Sequence, residues 1–370
     1  MQQDKSFGAV ITRLIDKRDL SRQEARAAFE QILQDGTTAM QQGAFLAALR
    51  AKGENEDEVA GAWEAIYDLD TTKVAAEAEN PLVENSGTGM DTFKTFNIST
   101  AAAIVAAAAG VPMARHGARA ITSVCGTVDM AEALGVDVEC DAQLVAGSIA
   151  KANIGLFNGM SPQIHPMALG RILSQIHFGS TLNIAASLAN PALPRYGVRG
   201  VYAKEMIMPV IRVMKAIGYR RAIVFHGQAG DTGKGMDEAS VCGTTWCAEL
   251  SVDGAIKTFT LEPDQWGLER HAPEELSPEP DLADESRRFV ALIQGRENGV
   301  GARRQAVVLN TALILNVAGQ VAALDAGLAA AAAAIDSGAA FGTLERWVAA
   351  QNRYTEQGLA KLRSVSRARP

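Results

Sequence analysis

The spacing of hydrophobic and polar positions changes near residue 75 of this chain. Up to that point apolar residues recur every three or four positions, as Phe29, Ile32 and Leu33 do, which is typical of helices with one buried face. Three of these helices are preceded by polar pairs with the spacing of a capping box: Ser21 with Glu24, Thr38 with Gln41, and Asn55 with Glu58. We therefore predict an N-terminal helical domain over residues 1–75.

The polar segment 70–80 ends at Pro81, and beyond it helical and strand-like patterns alternate. Short runs of apolar and β-branched residues predict strands at 113–115, 154–158, 200–203, 222–226, 244–250 and 257–261. Helical patterns separate the first four, at 98–109, 127–134, 141–152 and 205–217. This alternation predicts an α/β domain with a mostly parallel central sheet over 81–345, followed by a C-terminal helical tail over 346–370. The fold class is α/β, with a small helical domain in front of a larger α/β domain.

Composition and charge narrow the function classes. The chain has 370 residues, of which 48% are hydrophobic and 21% charged, as in an ordinary globular protein. Its net charge of −7 argues against nucleic-acid binding, which usually needs a basic surface. The four cysteines form no CxxC pair, so a zinc site is not expected. The N-terminus lacks an apolar leader, and the apolar stretch 98–109 is too short to span a bilayer, so we expect a cytoplasmic protein without membrane contact.

The stretch from Ser86 to Asp129 holds the residues best suited to chemistry. Two glycine-containing turns, Gly87-Thr88-Gly89 and His116-Gly117-Ala118-Arg119, flank a helix of small residues that begins near Asn97. Glycines let backbone amides approach a ligand, and a helix start offers free amides and a partial positive charge. With Arg115 beside the second turn, these groups suit a polyanion such as phosphate or pyrophosphate. The stretch matches neither the dinucleotide fingerprint nor a P-loop.

The combination GTGxD…NIST…RHGxR resembles the anthranilate phosphoribosyltransferase family, whose site uses a GTGGD loop, an NIST helix start and a KHGNR turn. Further matches include the segment 45–54, Asn190-Pro191, His226-Gly227 and Asp237-Glu238, so the resemblance covers roughly residues 6–340. It implies transfer of a phosphoribosyl group from phosphoribosyl pyrophosphate (PRPP) to anthranilate, a step of tryptophan biosynthesis. It also implies a nucleoside phosphorylase-like fold, a homodimer formed through the N-terminal helices, and packing of 161–190 against those helices.

The resemblance further implies roles for individual residues. PRPP would be bound by Gly87, Thr88, Gly89, Asp91, Lys94, Thr95, Asn97, Ser99, Thr100, Arg115, Gly117 and Ser123. Mg²⁺, which takes a few carboxylates together with phosphate oxygens, would be held by Ser99, Asp237 and Glu238. The acceptor side would be lined by His116, Ala118, His165, Arg171 and Leu173. Positioning and electrostatic stabilisation suffice for this reaction, so we assign no residue a covalent catalytic role.

Departures from the family pattern cluster on the acceptor side. Ala118 replaces the asparagine of KHGNR, and Leu173 stands where the family has an arginine, with Arg171 two residues away. In the phosphate loop Met90 replaces the second glycine of GTGGD, and Arg115 replaces the usual lysine. A buried carboxylate without a cationic partner is unfavourable. The acceptor is therefore anthranilate, another aromatic amine or a nitrogen heterocycle.

Two other function classes stay open at this point. A nucleoside phosphorylase-like enzyme would use inorganic phosphate. Lys94-Thr95 and the segment 126–129 weakly resemble the phosphate site of such enzymes. A non-catalytic paralogue that binds a ligand or nucleic acid would be expected to lose the GTG turn and the Asp237-Glu238 pair and to be basic. Neither change is present, so the sequence favours a phosphoribosyltransferase.

Overall fold

A computed structural model describes residues 2–119, 125–296 and 301–367. The N-terminal bundle consists of four helices: α1 (Gln2–Ile15), α2 (Arg22–Leu33), α3 (Ala39–Lys52) and α4 (Glu56–Leu69). All three predicted capping boxes are present: the side chains of Ser21, Thr38 and Asn55 each accept a hydrogen bond from the backbone amide three residues later. These caps satisfy amides that a helix start otherwise leaves unpaired.

The larger domain is built on one eight-stranded sheet. Its strands are β1 (Val83–Gly87), β2 (Met113–Gly117), β3 (Ile154–Asn158), β4 (Tyr196–Gly200), β5 (Arg221–Gln228), β6 (Gly235–Met236), β7 (Thr245–Leu250) and β8 (Ile256–Leu261). The order is β3-β2-β1-β4-β5-β7-β8, with β6 paired to β5. Strands β1 to β5 pair in parallel, whereas β6, β7 and β8 add antiparallel pairs. The predicted mostly parallel sheet is confirmed.

The remaining helices cover this sheet. They are α5 (Ile98–Ala108), α6 (Thr127–Ala133), α7 (Ala142–Ala152), α8 (Leu169–Ile176), α9 (Thr181–Leu188), α10 (Ile207–Ala216), α11 (Leu282–Ile293), α12 (Ala302–Val317), α13 (Leu324–Asp336), α14 (Ala339–Ala350) and α15 (Thr355–Arg367). Within the described residues no single helix is long and apolar enough to cross a membrane. Helices α13 and α14 pass that test only when they are counted together, and the chain bends by 70° between them.

Two large hydrophobic clusters lie on the two faces of the sheet. Ile223 and Phe225 of β5 join the cluster that contains α5, α12 and α14. Their neighbours Ala222 and Val224 join the cluster that contains α1 to α4 with α8, α9 and α10. Because successive side chains of a strand point to opposite faces, β5 is buried on both sides. Helices α8 and α9, from the segment 161–190, therefore share a core with the N-terminal bundle.

Three strands differ from the sequence-based expectation. Strands β1 and β6 were not predicted, and β4 lies at Tyr196–Gly200 instead of 200–203. Beyond β4, the amide of Tyr202 donates to the hydroxyl of Thr88, at 3.0 Å. Because β1, β2, β4 and β5 are parallel, their carboxyl ends meet at one edge of the sheet. Open α/β sheets bind ligands at that edge.

The C-terminal tail is an integral part of the fold. Gln351, which is fully buried just after α14, pairs its side-chain amide with the backbone of Leu156 on the edge strand β3. Both hydrogen bonds measure 2.9 Å. The glutamine thus satisfies edge-strand groups that would otherwise lack a partner strand.

Candidate active site

The GTG turn lies at the carboxyl end of β1 and is held by Gly200 at the end of β4 and by Asp237, which follows β6. The amide of Thr88 donates to the carbonyl of Gly200, at 3.1 Å, and the amide of Gly89 donates to Oδ2 of Asp237, at 2.8 Å. A Cβ atom on Gly87 would lie only 2.0 Å from the same carboxylate oxygen. Glycine is therefore required at position 87 because the backbone and a carboxylate share this space.

Three carboxylates gather beside this turn. Asp91 and Glu238 are buried, Asp237 is half-buried, and Asp91 pairs with Lys94 at 2.7 Å. Burial, together with the charge of Asp91, raises the pKa of Asp237 to about 6, although the Gly89 amide opposes this shift. Burial and both aspartates also raise the pKa of Glu238, while Arg115 and the Ser99 amide favour its charged form. The site thus concentrates negative charge, and one nearby lysine, Lys94, is paired with it.

These groups fit a divalent cation that is shared with a ligand. Asp237 and Glu238 are adjacent in the chain, and Ser99 and Glu238 line the same small cavity. Within the described part of the chain, no three His, Cys, Asp or Glu side chains form a group that could hold a metal by themselves. Mg²⁺ commonly binds with one or two carboxylates and completes its shell with water and substrate phosphates. The carboxylates of Asp237 and Glu238 with the Ser99 hydroxyl match this mode of binding.

Arg115 lies beneath the helix start, not in the open cleft. It is only 1% exposed, and its guanidinium donates to Asn85 at 3.0 Å, to Thr100 at 2.7 Å and to Ser99 at 3.1 Å. Burial lowers the pKa of Arg115 to about 10, while Glu238 and Glu84 favour its charge. The planar fork therefore ties β1 and β2 to the first turn of α5 and orients both hydroxyls.

The other predicted phosphate-site residues lie around this centre. Asn97 precedes α5 and donates to the carbonyl of Cys125, at 3.3 Å. Lys94 and Thr95 are half-buried in the segment between the GTG turn and α5, and Gly117 ends β2 against Thr127. Ser123 lies outside the described residues.

Arg119 is neutralised within its own domain. Its guanidinium pairs with Asp129 at 3.2 Å, Glu132 at 2.7 Å and Glu139 at 3.3 Å. Three carboxylates on one guanidinium leave it little positive potential to offer a ligand. The positive charge that the sequence suggested for the RHGxR turn is thus largely neutralised at Arg119 by these carboxylates.

The predicted acceptor side contains a pair of buried histidines. The Nε2 atoms of His116 and His165 lie 3.3 Å apart, and Nδ1 of His165 lies 2.5 Å from the carbonyl of Asp70. A carbonyl only accepts, so His165 carries its proton on Nδ1 and its Nε2 accepts from His116. Burial and His165 lower the pKa of His116 to about 3, and burial also lowers the pKa of His165. Both rings are neutral near pH 7.

The remaining predicted acceptor residues do not join this pair. The Arg171 guanidinium faces the N-terminal bundle, where it donates to Gln42 at 3.1 Å and to the carbonyl of Ile32 at 3.2 Å. Leu173 packs against the hydrophobic cluster of the same bundle, and Ala118 is exposed. Helix α8 therefore supplies no cation to the histidine side in this structure.

Sequence reasoning missed one buried polar network next to the site. Glu84 accepts from Arg199 at 2.9 Å, from Asn190 at 3.1 Å and from Tyr219 at 3.4 Å. Asn190 also donates to the carbonyl of Ala114, at 2.8 Å. The network ties β1, β2 and β4 together near the amino ends of β1 and β2. Glu84 and Arg199 lie outside every strand that the sequence predicted, so the sequence carried no clear signal for this network.

Comparisons with known families agree with this architecture. The family described as "Glycosyl transferase family, a/b domain" matches residues 79–341, and "Glycosyl transferase family, helical bundle domain" matches residues 9–69. Both parts follow the division seen in the fold.

Individual relatives identify one branch of this glycosyl transferase family. The anthranilate phosphoribosyltransferase of Anaeromyxobacter dehalogenans strain 2CP-C is 38% identical over 343 residues, which are 92% of this chain and 97% of the relative. The crystal structure of the Thermus thermophilus anthranilate phosphoribosyltransferase superposes with a TM-score of 0.82 at 29% identity, covering 92% of this chain and 99% of that one. The chain therefore belongs to the anthranilate phosphoribosyltransferase family, as its motifs predicted.

A more distant structure shares the fold alone. The anthranilate phosphoribosyltransferase of Saccharomyces cerevisiae, solved in complex with PRPP and Mg, has a TM-score of 0.80 at 22% identity. The alignment covers 94% of this chain and 98% of the yeast chain.

Proposed function

We propose that this chain transfers the 5-phosphoribosyl group of PRPP to anthranilate or a related aromatic amine and releases pyrophosphate. The observation that carries the proposal is the convergence of the GTG turn, the start of α5 and the Asp237-Glu238 pair, joined by the hydrogen bond from Gly89 to Asp237. The family of the chain and its solved relatives support the same reaction.

The reaction breaks the bond between C1′ and the pyrophosphate oxygen and forms a bond from C1′ to the acceptor nitrogen. Amides of the GTG turn and of the first turn of α5 would bind the leaving pyrophosphate, whose charge grows as the bond breaks. Asp237, Glu238 and the Ser99 hydroxyl would hold Mg²⁺, which supplies positive charge to the phosphate oxygens. Arg115 keeps the Ser99 hydroxyl in place from below.

On the proposed acceptor side, the neutral pair His116 and His165 would contact the acceptor without placing a charge beside its amine. Because Ala118 and Leu173 bring no polar group there, an acceptor carboxylate would find fewer donors than the family pattern provides. The acceptor nitrogen loses a proton to solvent or to phosphate oxygen as the new bond forms.

Calorimetry with PRPP in the presence and absence of Mg²⁺ tests the donor half of the proposal. We expect binding that strengthens with Mg²⁺. A folded protein that binds no PRPP at millimolar concentration would exclude the enzyme. Pyrophosphate release across a panel of acceptors, with anthranilate first, then identifies the acceptor.

We also propose a homodimer formed through the N-terminal helices. Ile15 at the end of α1 and Met40 at the start of α3 are 64% and 86% exposed, although both side chains are apolar. Light scattering of the wild type and of Met40→Glu tests this proposal. A monomeric wild type, or an unchanged dimer in the variant, would argue against this contact surface.

A further inference from the structure

The carboxyl edge of the sheet carries three lysines in different environments. Lys94 pairs with Asp91 at 2.7 Å, and the ammonium of Lys204 lies 4.2 Å from the ring centre of Trp246. Lys234 is exposed, and no ion pair or side-chain hydrogen bond joins its ammonium to any other residue of the described ranges. The edge thus holds one lysine whose charge has no partner within the described chain.

Lys234 lies in a hairpin that is fastened to the phosphate loop. The hairpin connects β5 to β6 and includes Gly230 and Gly233, both with positive φ. At its base, the amide of Gly235 donates to the Thr92 hydroxyl at 2.9 Å, and the amide of Phe93 donates to the Gly235 carbonyl at 3.0 Å. Lys234 is therefore one residue away from a direct attachment to the segment between the GTG turn and α5.

The hairpin base is fixed while the lysine side chain is left in solvent. The amide of Ala229 donates to the carbonyl of Lys234 at 3.0 Å, and the Thr232 hydroxyl donates to the carbonyl of Ala229 at 2.6 Å. A Cβ atom on Gly235 would lie 2.1 Å from Nε2 of His226, so the strand packs directly on that ring. The backbone position of the charge is thus set, and a lysine stem is long and flexible enough to follow a ligand.

The charge balance of the site gives this lysine a use. Asp91, Asp237 and Glu238 are acidic, Lys94 is already paired, and Arg115 is buried below them. A polyphosphorylated ligand adds further negative charge to this edge, more than one Mg²⁺ and Lys94 can balance. An unpaired cation on an attached hairpin reduces that excess.

We propose that Lys234 binds a phosphate group of PRPP from the hairpin side. The proposal rests on the proposed function of the chain. Phosphate oxygens of the pyrophosphate and of the 5-phosphate share the required chemistry, and separate titrations with inorganic pyrophosphate and ribose 5-phosphate distinguish the two sources.

Calorimetry with PRPP and Mg²⁺ on Lys234→Ala and Lys234→Arg tests the proposal. We expect Lys234→Ala to raise the Kd for PRPP about tenfold, as removal of one charge-assisted hydrogen bond does, and Lys234→Arg to restore most of it. Lys234→Ala should raise the Kd for either pyrophosphate or ribose 5-phosphate as much as it raises the Kd for PRPP. The Kd for the other of these two ligands should not change. In kinetics, KM for PRPP should rise while kcat and the KM for the acceptor stay near the wild-type values.

Lys257→Ala is the matched control. Lys257 is exposed on β8, and its register through Glu249 to Ile223 places it near the amino end of β5, at the opposite edge of the sheet. Its removal should leave the Kd unchanged, whereas equal weakening by both variants would reveal only an effect of net charge and overturn the proposal.

The remaining outcomes separate this proposal from the proposed function. A wild type that binds PRPP while Lys234→Ala binds it within about twofold overturns the role of Lys234 alone. A folded wild type that binds no PRPP overturns both. Failure of Lys234→Arg to restore affinity, with an unchanged melting temperature, would show that charge at this position is not what the ligand contacts.

Discussion

The proposed phosphate half and the proposed acceptor half of the cleft are held by different parts of the molecule. In the phosphate half, the amide of Gly89 binds Asp237, and Arg115 joins β1 and β2 to the start of α5. In the acceptor half, His116 and His165 contact each other, whereas the arginine of α8 faces the bundle. Donor chemistry is thus part of the fold, whereas acceptor choice depends on a few side chains that can change without disturbing it.

The largest expected effect is in the phosphate half. We expect the double variant Asp237→Asn, Glu238→Gln to lose Mg²⁺-dependent turnover by about 100-fold or more, because it removes the electrostatic stabilisation of the leaving group. Turnover with saturating PRPP and Mg²⁺ measures this loss. A variant with near wild-type turnover would exclude the metal role.

The same variant should not lose stability in the absence of Mg²⁺. Burial raises the pKa of both acids, so the folded chain binds protons more readily than the unfolded chain. Their contribution is most favourable at low pH and is lost as pH rises, for Asp237 from its ordinary value near 3.8 to about 6. Neutral amides escape this penalty, and the variant should unfold at an equal or higher temperature than the wild type at about pH 7.5. A clearly lower melting temperature would contradict the pKa argument.

This contrast also explains what could be predicted from the sequence. The capping boxes of α2, α3 and α4 are local patterns and were predicted with their partners. The GTG and Asp-Glu motifs are also local patterns, and they carried the resemblance from which the phosphate half is proposed. The fold class needed only the alternation of helices and strands.

Features set by tertiary contacts could not be predicted. Strand β1 contains Glu84 and Asn85, whose polar side chains interrupt the apolar pattern of a buried strand. In the structure these side chains accept hydrogen bonds from Arg199 and Arg115, which come from other strands. The burial of Arg115 and the orientation of Arg171 toward Gln42 depend on elements distant in sequence. Spacing identifies a residue type at a position but does not say which way its side chain turns.

The acceptor half can be strengthened by restoring the family pattern. We expect Ala118→Asn to lower the KM for anthranilate about tenfold, since one hydrogen bond to a charged group contributes roughly 1.5–3 kcal/mol. Position 173 is left unchanged because its side chain packs against the N-terminal bundle. The KM for PRPP should stay unchanged, which is the internal control. An unaltered KM for anthranilate would show that the acceptor carboxylate is bound elsewhere or that the wild type uses a different acceptor.

The histidine pair predicts a smaller effect, on the pH dependence of stability. Burial lowers the pKa of His116 to about 3, below its value of about 6.5 in an unfolded chain. Between these values the unfolded chain binds the extra proton, so stability is complete above about pH 6.5 and is lost as pH falls. Urea unfolding at about pH 7.5, 6.0 and 5.0 should give a shallower decline for His116→Gln than for the wild type. Parallel declines would show that His116 does not titrate as its burial requires.

The smallest expected effect separates the two halves most directly, at Arg171. Its guanidinium donates to Gln42 and to the carbonyl of Ile32 and pairs with Asp35, so its removal should destabilise the bundle by about 1 kcal/mol. The KM for anthranilate should stay within about twofold of the wild type, because this side chain does not face the histidines. Arg26→Ala, which removes bundle ion pairs with Glu30 and Asp68, is the matched control for stability. If Arg171→Ala raises the KM for anthranilate while Arg26→Ala does not, then Arg171 turns toward the cleft when acceptor binds. The acceptor half would in that case be as complete as the phosphate half, and anthranilate would be its ordinary substrate.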